Sequence, residues 1–167
     1  VSMAELIIRW APSQSATFSA LAIAAPPSVI GLEFPRPALE AMTRDNVRAA
    51  IGSHLDTLTH KRFIHPSADS PVDPIFRFHH HLVRETVYGA LLKRARATLH
   101  IEFVRWADRV NAERGRALEF EEILGYHLEQ AHRYLAELGP LDEQGLAIGR
   151  DAAIRLSSAA KRAFARG

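Results

Sequence analysis

Three consecutive histidines, His79, His80 and His81, offer the side chains of this sequence best suited to chemistry. Imidazole nitrogens bind metal ions, transfer protons and form hydrogen bonds with phosphate oxygens. On a helix, successive side chains point about 100° apart, so three adjacent histidines cannot close around one ion. No carboxylate or further histidine follows at a spacing typical of metal ligands. The triplet therefore predicts no metal site and directs attention to hydrogen bonding by a single histidine.

Catalytic constellations are absent from the sequence. It contains no cysteine, no Gly-x-Ser-x-Gly segment and no His-Glu-x-x-His segment, so it lacks the usual spacings of nucleophilic or zinc catalysis. Glu121 and Glu122 are adjacent on a predicted helix and cannot face one substrate as an acid–base pair. The sequence also lacks the Gly-x-x-x-x-Gly-Lys-Ser/Thr loop that cradles nucleotide phosphates. We therefore expect a non-enzymatic chain with no catalytic residues and no cofactor of its own.

Charge is distributed unevenly although the formal net charge is only +2. Nine basic and four acidic residues lie between Arg77 and Arg116, whereas Glu119–Asp151 holds eight acidic residues and two basic ones. The longest apolar run, Ala20–Ala25, is far too short to cross a membrane. The lack of cysteine is typical of a reducing compartment, so we predict a cytoplasmic protein with no membrane partner. Val1-Ser2-Met3 does not resemble a natural start, which predicts that the chain is part of a longer protein.

The first half of the sequence is predicted to form helices followed by a β-hairpin. Apolar residues recur at helical spacing, and Pro26-Pro27 is predicted to end the second helix. Two short β-like runs flank a loop rich in proline, serine and aspartate. The predicted elements are helices at Met3–Trp10, at Ser13 or Ser15 to about Ala25, at Pro37–Met42 and at Asn46–His60, with strands at Arg62–His65 and Ile75–Phe78. This order predicts a winged-helix-like domain over residues 1–78.

The second half is predicted to be an array of helices over residues 79–167. Long amphipathic stripes follow the histidines, Gly139-Pro140 ends one helix, and Asp142 caps the last. The predicted inward residues are Leu99, Phe103, Trp106 and Val110, then Leu124, Leu128, Ala131 and Leu135, then Ala153, Leu156, Ala160 and Phe164. Leu124-Gly125 followed by Tyr134 matches the spacing of a tetratricopeptide helix. The predicted fold is mainly α: a winged-helix-like domain, then the start of a tetratricopeptide-like superhelix.

Several segments resemble a family of multidomain bacterial signalling ATPases, the STAND-type regulators. They are "SVIGLEFP", "IFRFHHHLVRETVYGALLKRARATLH" and "ILGYHLEQAHRYLAELGPLD". The most specific part is the run from Phe78 through the histidines to Leu82, Val83, Arg84 and Glu85, with Tyr88 after it. The family includes proteins fused to adenylate or guanylate cyclase domains or to LuxR-type DNA-binding domains. The resemblance implies a regulatory role between an upstream nucleotide-binding module and an effector domain of the same parent chain.

The resemblance also implies a nucleotide sensor. In the related ATPases a winged-helix histidine contacts the phosphates of bound ADP, and by residue matching that role falls to His80, with Arg84 beside it. The sequence departs from the family at His79, where Arg or Lys is usual, and at His81, where a small residue is usual. Because the chain has no phosphate loop, ATP or ADP would belong to the parent protein. A helix-start histidine bonded to nearby backbone is the simpler alternative for His80, and a salt bridge between Arg84 and Glu85 is the simpler alternative for that pair.

Two other functions remain open from the sequence. One is a stand-alone DNA-binding winged helix, in which Asn46–His60 would be the recognition helix and Arg48, Lys61 and Arg62 would contact DNA or another interface. These few cations can supply few phosphate contacts, so the sequence disfavours nucleic acid as a partner. The other is a helical scaffold for a protein partner, with His80 satisfied internally. Neither alternative requires a nucleotide.

Overall fold

The computed structural model describes residues 23–67, 74–115 and 117–166. The described residues up to Leu91 form one unit, and those from Leu92 onward form a second. The described chain is mainly helical with a small antiparallel sheet, which confirms the predicted fold class at that level. The predicted helix Met3–Trp10 and the first part of the next predicted helix lie outside the described residues.

The first unit places a three-stranded sheet among short helices. All strand pairs are antiparallel, and the sheet order is β1-β3-β2. Its elements are α1 (residues 23–30), β1 (Glu33–Pro35), α2 (Arg36–Met42), α3 (Asp45–Arg48), α4 (Ile51–His60), β2 (Ile64–Ser67), β3 (Ile75–Phe78) and α5 (His81–Ala90). The contacts group α5 with this unit, whereas the sequence pattern assigned residues 79–167 to the helical array.

Aromatic rings on the sheet form the centre of the first core. Phe34 on β1 lies directly opposite Phe76 on β3, with ring centroids 5.9 Å apart, and its ring centroid lies 5.5 Å from that of Phe78. The core also includes Ile51, Leu55 and Leu58, so the predicted apolar stripe of α4 does face inward. Strand β1 was not predicted, because a three-residue strand is defined by its pairing with β3 rather than by its own sequence.

The predicted break at Pro26-Pro27 is wrong. Residues 23–30 are helical, and the backbone N–H of Gly31 donates to the carbonyl of Pro27 at 3.2 Å. The Ser28 hydroxyl, which is fully buried, donates to the carbonyl of Ala25 at 2.7 Å. Burial of Ile23 and Val29 offsets the hydrogen bonds that two prolines cannot donate.

The second unit contains three long helices. They are α6 (Lys93–Glu113), α7 (Glu121–Leu138), which follows a short 3-10 turn at Ala117–Phe120, and α8 (Glu143–Ala165). Helix α7 packs against both of the others. The predicted end signals are confirmed: Gly139 has a φ of 152°, and the Asp142 carboxylate accepts a hydrogen bond from the backbone N–H of Gly145 at 2.7 Å.

The buried face of α6 is centred one residue away from the predicted stripe. Phe103 is buried as predicted, but Leu99, Trp106 and Val110 are only half-buried. The centre of the face instead consists of small and polar residues. They are Ala97, His100, Val104, Ala107 and Asn111. A search for large apolar residues misses such a face, because its short side chains are what allow a neighbouring helix to come close.

The predicted inward face of α8 is partly wrong. Phe164 is 91% exposed, and Ala153 and Ala160 are also exposed. The packing between α7 and α8 uses one glycine from each helix instead: a Cβ at Gly149 of α8 would lie 2.6 Å from the ring of His132, and a Cβ at Gly125 of α7 would lie 2.9 Å from Leu156. The two helices therefore approach each other closely at these glycines.

No helix among the described residues is both long enough and apolar enough to cross a lipid bilayer.

Candidate functional site

The candidate site lies where β3 leads into α5. Backbone hydrogen bonds hold this junction on two sides: the N–H of Phe78 donates to the carbonyl of Leu32, and the N–H of His79 donates to the carbonyl of Phe63, both at 2.9 Å. The Phe78 side chain is buried in the core. The junction therefore fixes the backbone from which the three histidines project.

His80 is the N-cap residue of α5. Its backbone is extended, with φ −140° and ψ 135°, and its Nδ1 accepts a hydrogen bond from the backbone N–H of Leu82 at 3.3 Å. This matches the simpler alternative, a helix-start histidine bonded to nearby backbone. Because Nδ1 accepts, this hydrogen-bond pattern assigns the proton of the neutral imidazole to Nε2. The exposed His80 ring therefore presents an N–H donor.

The other histidines form two ring pairs around the same junction. The ring of His81 stacks on that of His80, with centroids 4.7 Å apart. The ring of His79 meets that of His65 edge-on, with centroids 5.7 Å apart. Within the described ranges, no three metal-ligating side chains are grouped to share an ion. The arrangement fits a surface of imidazole donors and acceptors better than a closed coordination site.

Arg84 lies one turn into α5, on the same side as His80. Its guanidinium carbon is 5.7 Å from the ring centroid of Tyr88, and its Nε is buried without a hydrogen-bond partner among the described residues. The alternative salt bridge with Glu85 is not formed in the described structure, because adjacent helical residues point in different directions. The structure thus places His80 and Arg84 on one face of one helix.

Arg48 does not belong to the helix on which it was predicted. The predicted helix Asn46–His60 is divided by a turn at residues 49–50 into α3 and α4. The Arg48 guanidinium lies 3.1 Å from the Asp45 carboxylate and donates to the carbonyl of Thr43 at 3.2 Å. Asp45 itself is the first residue of α3. The Arg48 guanidinium is therefore already bound to groups of its own turn.

Lys61 and Arg62 follow the carboxyl end of α4, as the sequence predicted. Arg62 has a φ of 58°, a left-handed conformation, and the N–H of Phe63 donates back to the carbonyl of Leu58 at 3.0 Å. These features form a Schellman ending, in which glycine is the usual residue at the position of Arg62. The segment between Ile51 and His60 contains no Lys or Arg. The predicted cations therefore do not line the exposed face of α4.

A buried histidine pair in the second unit was missed by the sequence reasoning. His100 on α6 and His127 on α7 are 2% and 1% exposed, and their Nδ1 atoms are 2.8 Å apart. One Nδ1 must donate and the other accept, so the two rings hold complementary tautomers. The ring of Phe103 lies 4.6 Å from that of His127. The sequence does contain a signal for this pair, because each helix has a histidine among its apolar positions.

A charged contact between α6 and α8 was also missed. The Arg155 guanidinium donates to both carboxylate oxygens of Asp108 at 2.8 Å and to Asp151 at 3.0 Å. The hydrogen bonds with Asp108 raise the pKa of Arg155 above its ordinary value. At the other end of α8, Arg162 donates to Glu121 at 2.6 Å. These contacts hold α8 in place through side chains that lie far apart in the sequence.

Comparison with known proteins finds a similar, much longer protein. An uncharacterized protein of Rhizobium meliloti strain 1021 is 32% identical over 132 residues, which cover 78% of this chain. The match covers 12% of that protein, so the chain spans only about an eighth of the relative's length. No protein-family model matches the chain. No solved structure matches it either.

Proposed function

We propose that this chain is a non-catalytic regulatory module of a larger signal-transduction ATPase. In this proposal the first unit is a winged helix that docks on an upstream nucleotide-binding module of the parent chain. The second unit begins a tetratricopeptide-like array that contacts a cyclase or transcription effector domain or another protein. ATP or ADP would be bound by the parent protein, with His80 contacting its phosphates.

The topology of the first unit supports the winged-helix part of the proposal. A helix and strand β1 precede α2, α3 and α4, and a β-hairpin follows, with β3 in the middle of the sheet. Strand β1 adds to the predicted order the third strand that pairs with the hairpin. Since the cations at Arg48 and Lys61 do not line α4, this topology favours docking to protein over reading of DNA.

The observation that carries the sensor proposal is the hydrogen bond at His80. Because Nδ1 is used by the N-cap, the exposed Nε2–H remains as a donor of fixed tautomer. Such a donor can hydrogen-bond a phosphate oxygen without changing the cap. A contact of this kind differs between nucleotide states, and only such a difference can shift a closed–open equilibrium.

The antiparallel pair α7 and α8 supports the tetratricopeptide-like part. Helices in such repeats pack closely at a small residue, and Gly125 fills that role against Leu156. Gly139 and Pro140 provide the turn between the two helices. The match with a small part of a much longer relative is consistent with a module of a multidomain protein.

The first test is to read the gene of the parent protein upstream of the region that encodes this chain. The proposal requires a phosphate loop and its ATPase module upstream of the region, and a parent gene without them would rule it out. The second test measures release of fluorescent ADP from the full-length parent protein. His80→Asn retains an N-cap side chain but removes the imidazole donor, so we expect ADP to dissociate roughly tenfold faster or more.

His81→Asn is the matched control, because His81 stacks on His80 but does not cap the helix. It should leave the release rate close to that of the unchanged protein. Equal rates for His80→Asn and the unchanged protein would contradict the sensor role. The first unit would then be a plain docking element.

A further inference from the structure

The buried histidines His100 and His127 connect the middle of α6 to α7. Their Nδ1 atoms lie 2.8 Å apart, and the two residues are 2% and 1% exposed. Phe103 packs against the same contact, with its ring centroid 4.6 Å from that of His127. A hydrogen bond at this distance needs a proton on one Nδ1 and a lone pair on the other. The contact between the two helices therefore depends on which ring nitrogens carry protons.

The geometry of the pair limits the number of protons that it can hold. Two neutral imidazoles carry two protons, of which one lies between the facing Nδ1 atoms and the other on the Nε2 of the accepting ring. A third proton can be added at the Nε2 of the donating ring without loss of the hydrogen bond. A fourth would place two N–H groups head to head across 2.8 Å. The intact contact therefore holds at most three protons, whereas two solvated imidazoles hold four in acid.

Two cations lie close to the pair and oppose further positive charge on it. The ring of Tyr134 lies 6.2 Å from that of His100, and the guanidinium carbons of Arg96 and Arg133 lie 5.4 Å and 5.5 Å from the centroid of Tyr134. A second tyrosine, Tyr126, meets the other histidine ring edge-on, with centroids 5.6 Å apart. Because like charges repel strongly where water is excluded, acid favours separation of the two histidines over a doubly charged pair.

The nearby carboxylates are engaged with other groups. Glu137 of α7 lies 2.9 Å from the Lys93 Nζ of α6, and Asp108 of α6 binds Arg155 of α8. Glu129 accepts a hydrogen bond from the neighbouring glutamine amide at 2.6 Å. The remaining carboxylates of α6, the 3-10 turn and α7 are Glu102, Glu113, Glu119, Glu121 and Glu122.

These ion pairs respond to a more acidic range than histidine does. A hydrogen bond from Lys93 lowers the pKa of Glu137, and one from Arg162 lowers the pKa of Glu121, both from the ordinary value of 4.5. In mild acid above that value the carboxylates stay charged, so Arg162 continues to attach α8 to α7. The histidine pair is therefore the contact that mild acid acts on first.

The histidine between α7 and α8 behaves differently. The Nδ1 of His132 donates to the carbonyl of Gly145 at 3.0 Å. A proton added to this ring goes to Nε2, so the hydrogen bond to the carbonyl is retained. The α7–α8 contact thus tolerates protonation of its histidine, and the α6–α7 contact does not.

We propose that the pair His100 and His127 makes the contact between α6 and α7 a pH switch. At neutral pH one hydrogen bond joins the two rings and α6 is docked on α7. A solvated imidazole takes up its second proton below about pH 6.5, so the open state binds more protons than the closed one and gains stability as the pH falls. Mild acid therefore releases α6 while α7 and α8 stay together. The switch requires no nucleotide, so it is independent of the function proposed for His80.

Amide hydrogen exchange of the 167-residue chain, read by NMR, measures this opening. The protection factor corrects for the dependence of the intrinsic exchange rate on pH. Undocked α6 loses protection, because helices in proteins are stabilised mainly by tertiary packing. From about pH 7.5 to about pH 5.5 the open state binds one or two protons more than the closed state, so protection at Phe103 and Val104 should fall roughly ten- to a hundredfold. Protection in α8 should stay nearly constant.

Nitrogen-15 spectra of the histidine rings in the same chain report the protons directly. At neutral pH we expect opposite tautomers for His100 and His127, with the exposed ring of His60 as an internal reference. In mild acid both rings should become imidazolium only as the protection of α6 is lost. Two imidazolium rings in a chain whose α6 remains fully protected would overturn the proposal.

Two variants assign the response to the pair. His100→Leu with His127→Leu removes both titrating rings together, so its α6 protection should not depend on pH in this range. His60→Leu removes an exposed histidine of α4 and should respond as the unchanged chain does. If circular dichroism shows that the double variant does not fold, the ring spectra of the unchanged chain decide. Equal protection of α6 at both pH values, or a pH response that persists in the folded double variant, would refute the switch.

Discussion

At the scale of single residues, Arg62 shows a backbone conformation that its side chain does not favour. Its φ of 58° ends α4, and the Schellman hydrogen bonds around it are complete. Glycine enters this region without the steric cost that a Cβ imposes. The conformation therefore locates a position where removal of a side chain should help folding.

We predict that Arg62→Gly increases the free energy of unfolding of the first unit by about 0.5–1 kcal/mol. The relief of backbone strain in the folded state raises the stability. The larger conformational entropy of glycine in the unfolded chain offsets part of this increase. Lys61→Gly is the matched control, because Lys61 has a φ of −78° and gains nothing from glycine. Urea denaturation should show the two variants moving in opposite directions, and a loss of stability in Arg62→Gly would contradict the prediction.

The buried pair His100 and His127 allows a second prediction at this scale. Replacement of either histidine by leucine leaves a buried ring nitrogen without the partner 2.8 Å away, which should cost about 1–3 kcal/mol of stability. Replacement of both removes the two groups together, so the double variant should lose less than the two single variants combined. Thermal and urea unfolding of all four proteins give the coupling energy, expected at about 0.5–3 kcal/mol.

His60→Leu changes an exposed histidine and serves as the control, with an expected effect within about 0.5 kcal/mol. Strictly additive effects of the two buried replacements would mean that the rings do not depend on each other. The pair would then be two independent space-filling residues.

At the scale of elements, several local signals in the sequence act at helix ends as predicted, although Pro26-Pro27 does not end α1. Pro37, Gly139 and Asp142 act on the backbone within one turn, and the structure confirms all three. Strand β3 was predicted at Ile75–Phe78 because its apolar residues are bounded by a loop. Such signals depend only on residues that are close in the sequence.

The faces depend on neighbours that the local sequence does not reveal. The buried side of α6 is centred on His100 and Ala107 because α7 packs close to it, and the packed side of α8 is set by Gly149 against His132. Likewise, His80 could be placed at a helix start from the sequence, but its hydrogen bond to Leu82 could not. Long-range pairs such as Arg155 with Asp108 carry no local pattern at all.

The contact between Glu121 and Arg162 makes the stability of the second unit depend on pH. The hydrogen bond from Arg162, assisted by Ser158, lowers the pKa of Glu121 from its ordinary value of 4.5. A lowered pKa in the folded state means that the contact stabilises the fold above about pH 4.5 and is lost as the pH falls through the folded-state pKa. Protonation of Glu121 thus weakens the attachment of α8.

We predict that Glu121→Gln lowers stability above about pH 4.5 and makes the stability of the second unit fall less steeply in acid. Thermal unfolding followed by circular dichroism from about pH 3 to about pH 7 measures both effects. Glu122→Gln, on the exposed neighbouring residue, is the control and should keep the original slope. Parallel curves for Glu121→Gln and the unchanged chain would show that the contact contributes nothing in solution.

At the scale of the whole molecule, the distribution of charge separates the proposed docking function from DNA binding. The net charge is only +2, so the chain as a whole attracts a polyanion weakly. Arg48 is paired with Asp45, and Lys61 and Arg62 lie at the end of α4. Binding of duplex DNA needs several cations on one face to replace condensed counterions.

We therefore predict that titration of the 167-residue chain against duplex DNA gives only weak binding, with Kd no tighter than about 10⁻⁶ M at physiological salt. Arg48→Ala with Lys61→Ala should leave that binding essentially unchanged. Anisotropy of labelled duplex at several salt concentrations measures both quantities. Tight binding that falls steeply with salt and is lost in the double variant would instead make the first unit a reader of DNA. In that case Arg48 and Lys61, rather than His80, would be the functional residues of the first unit.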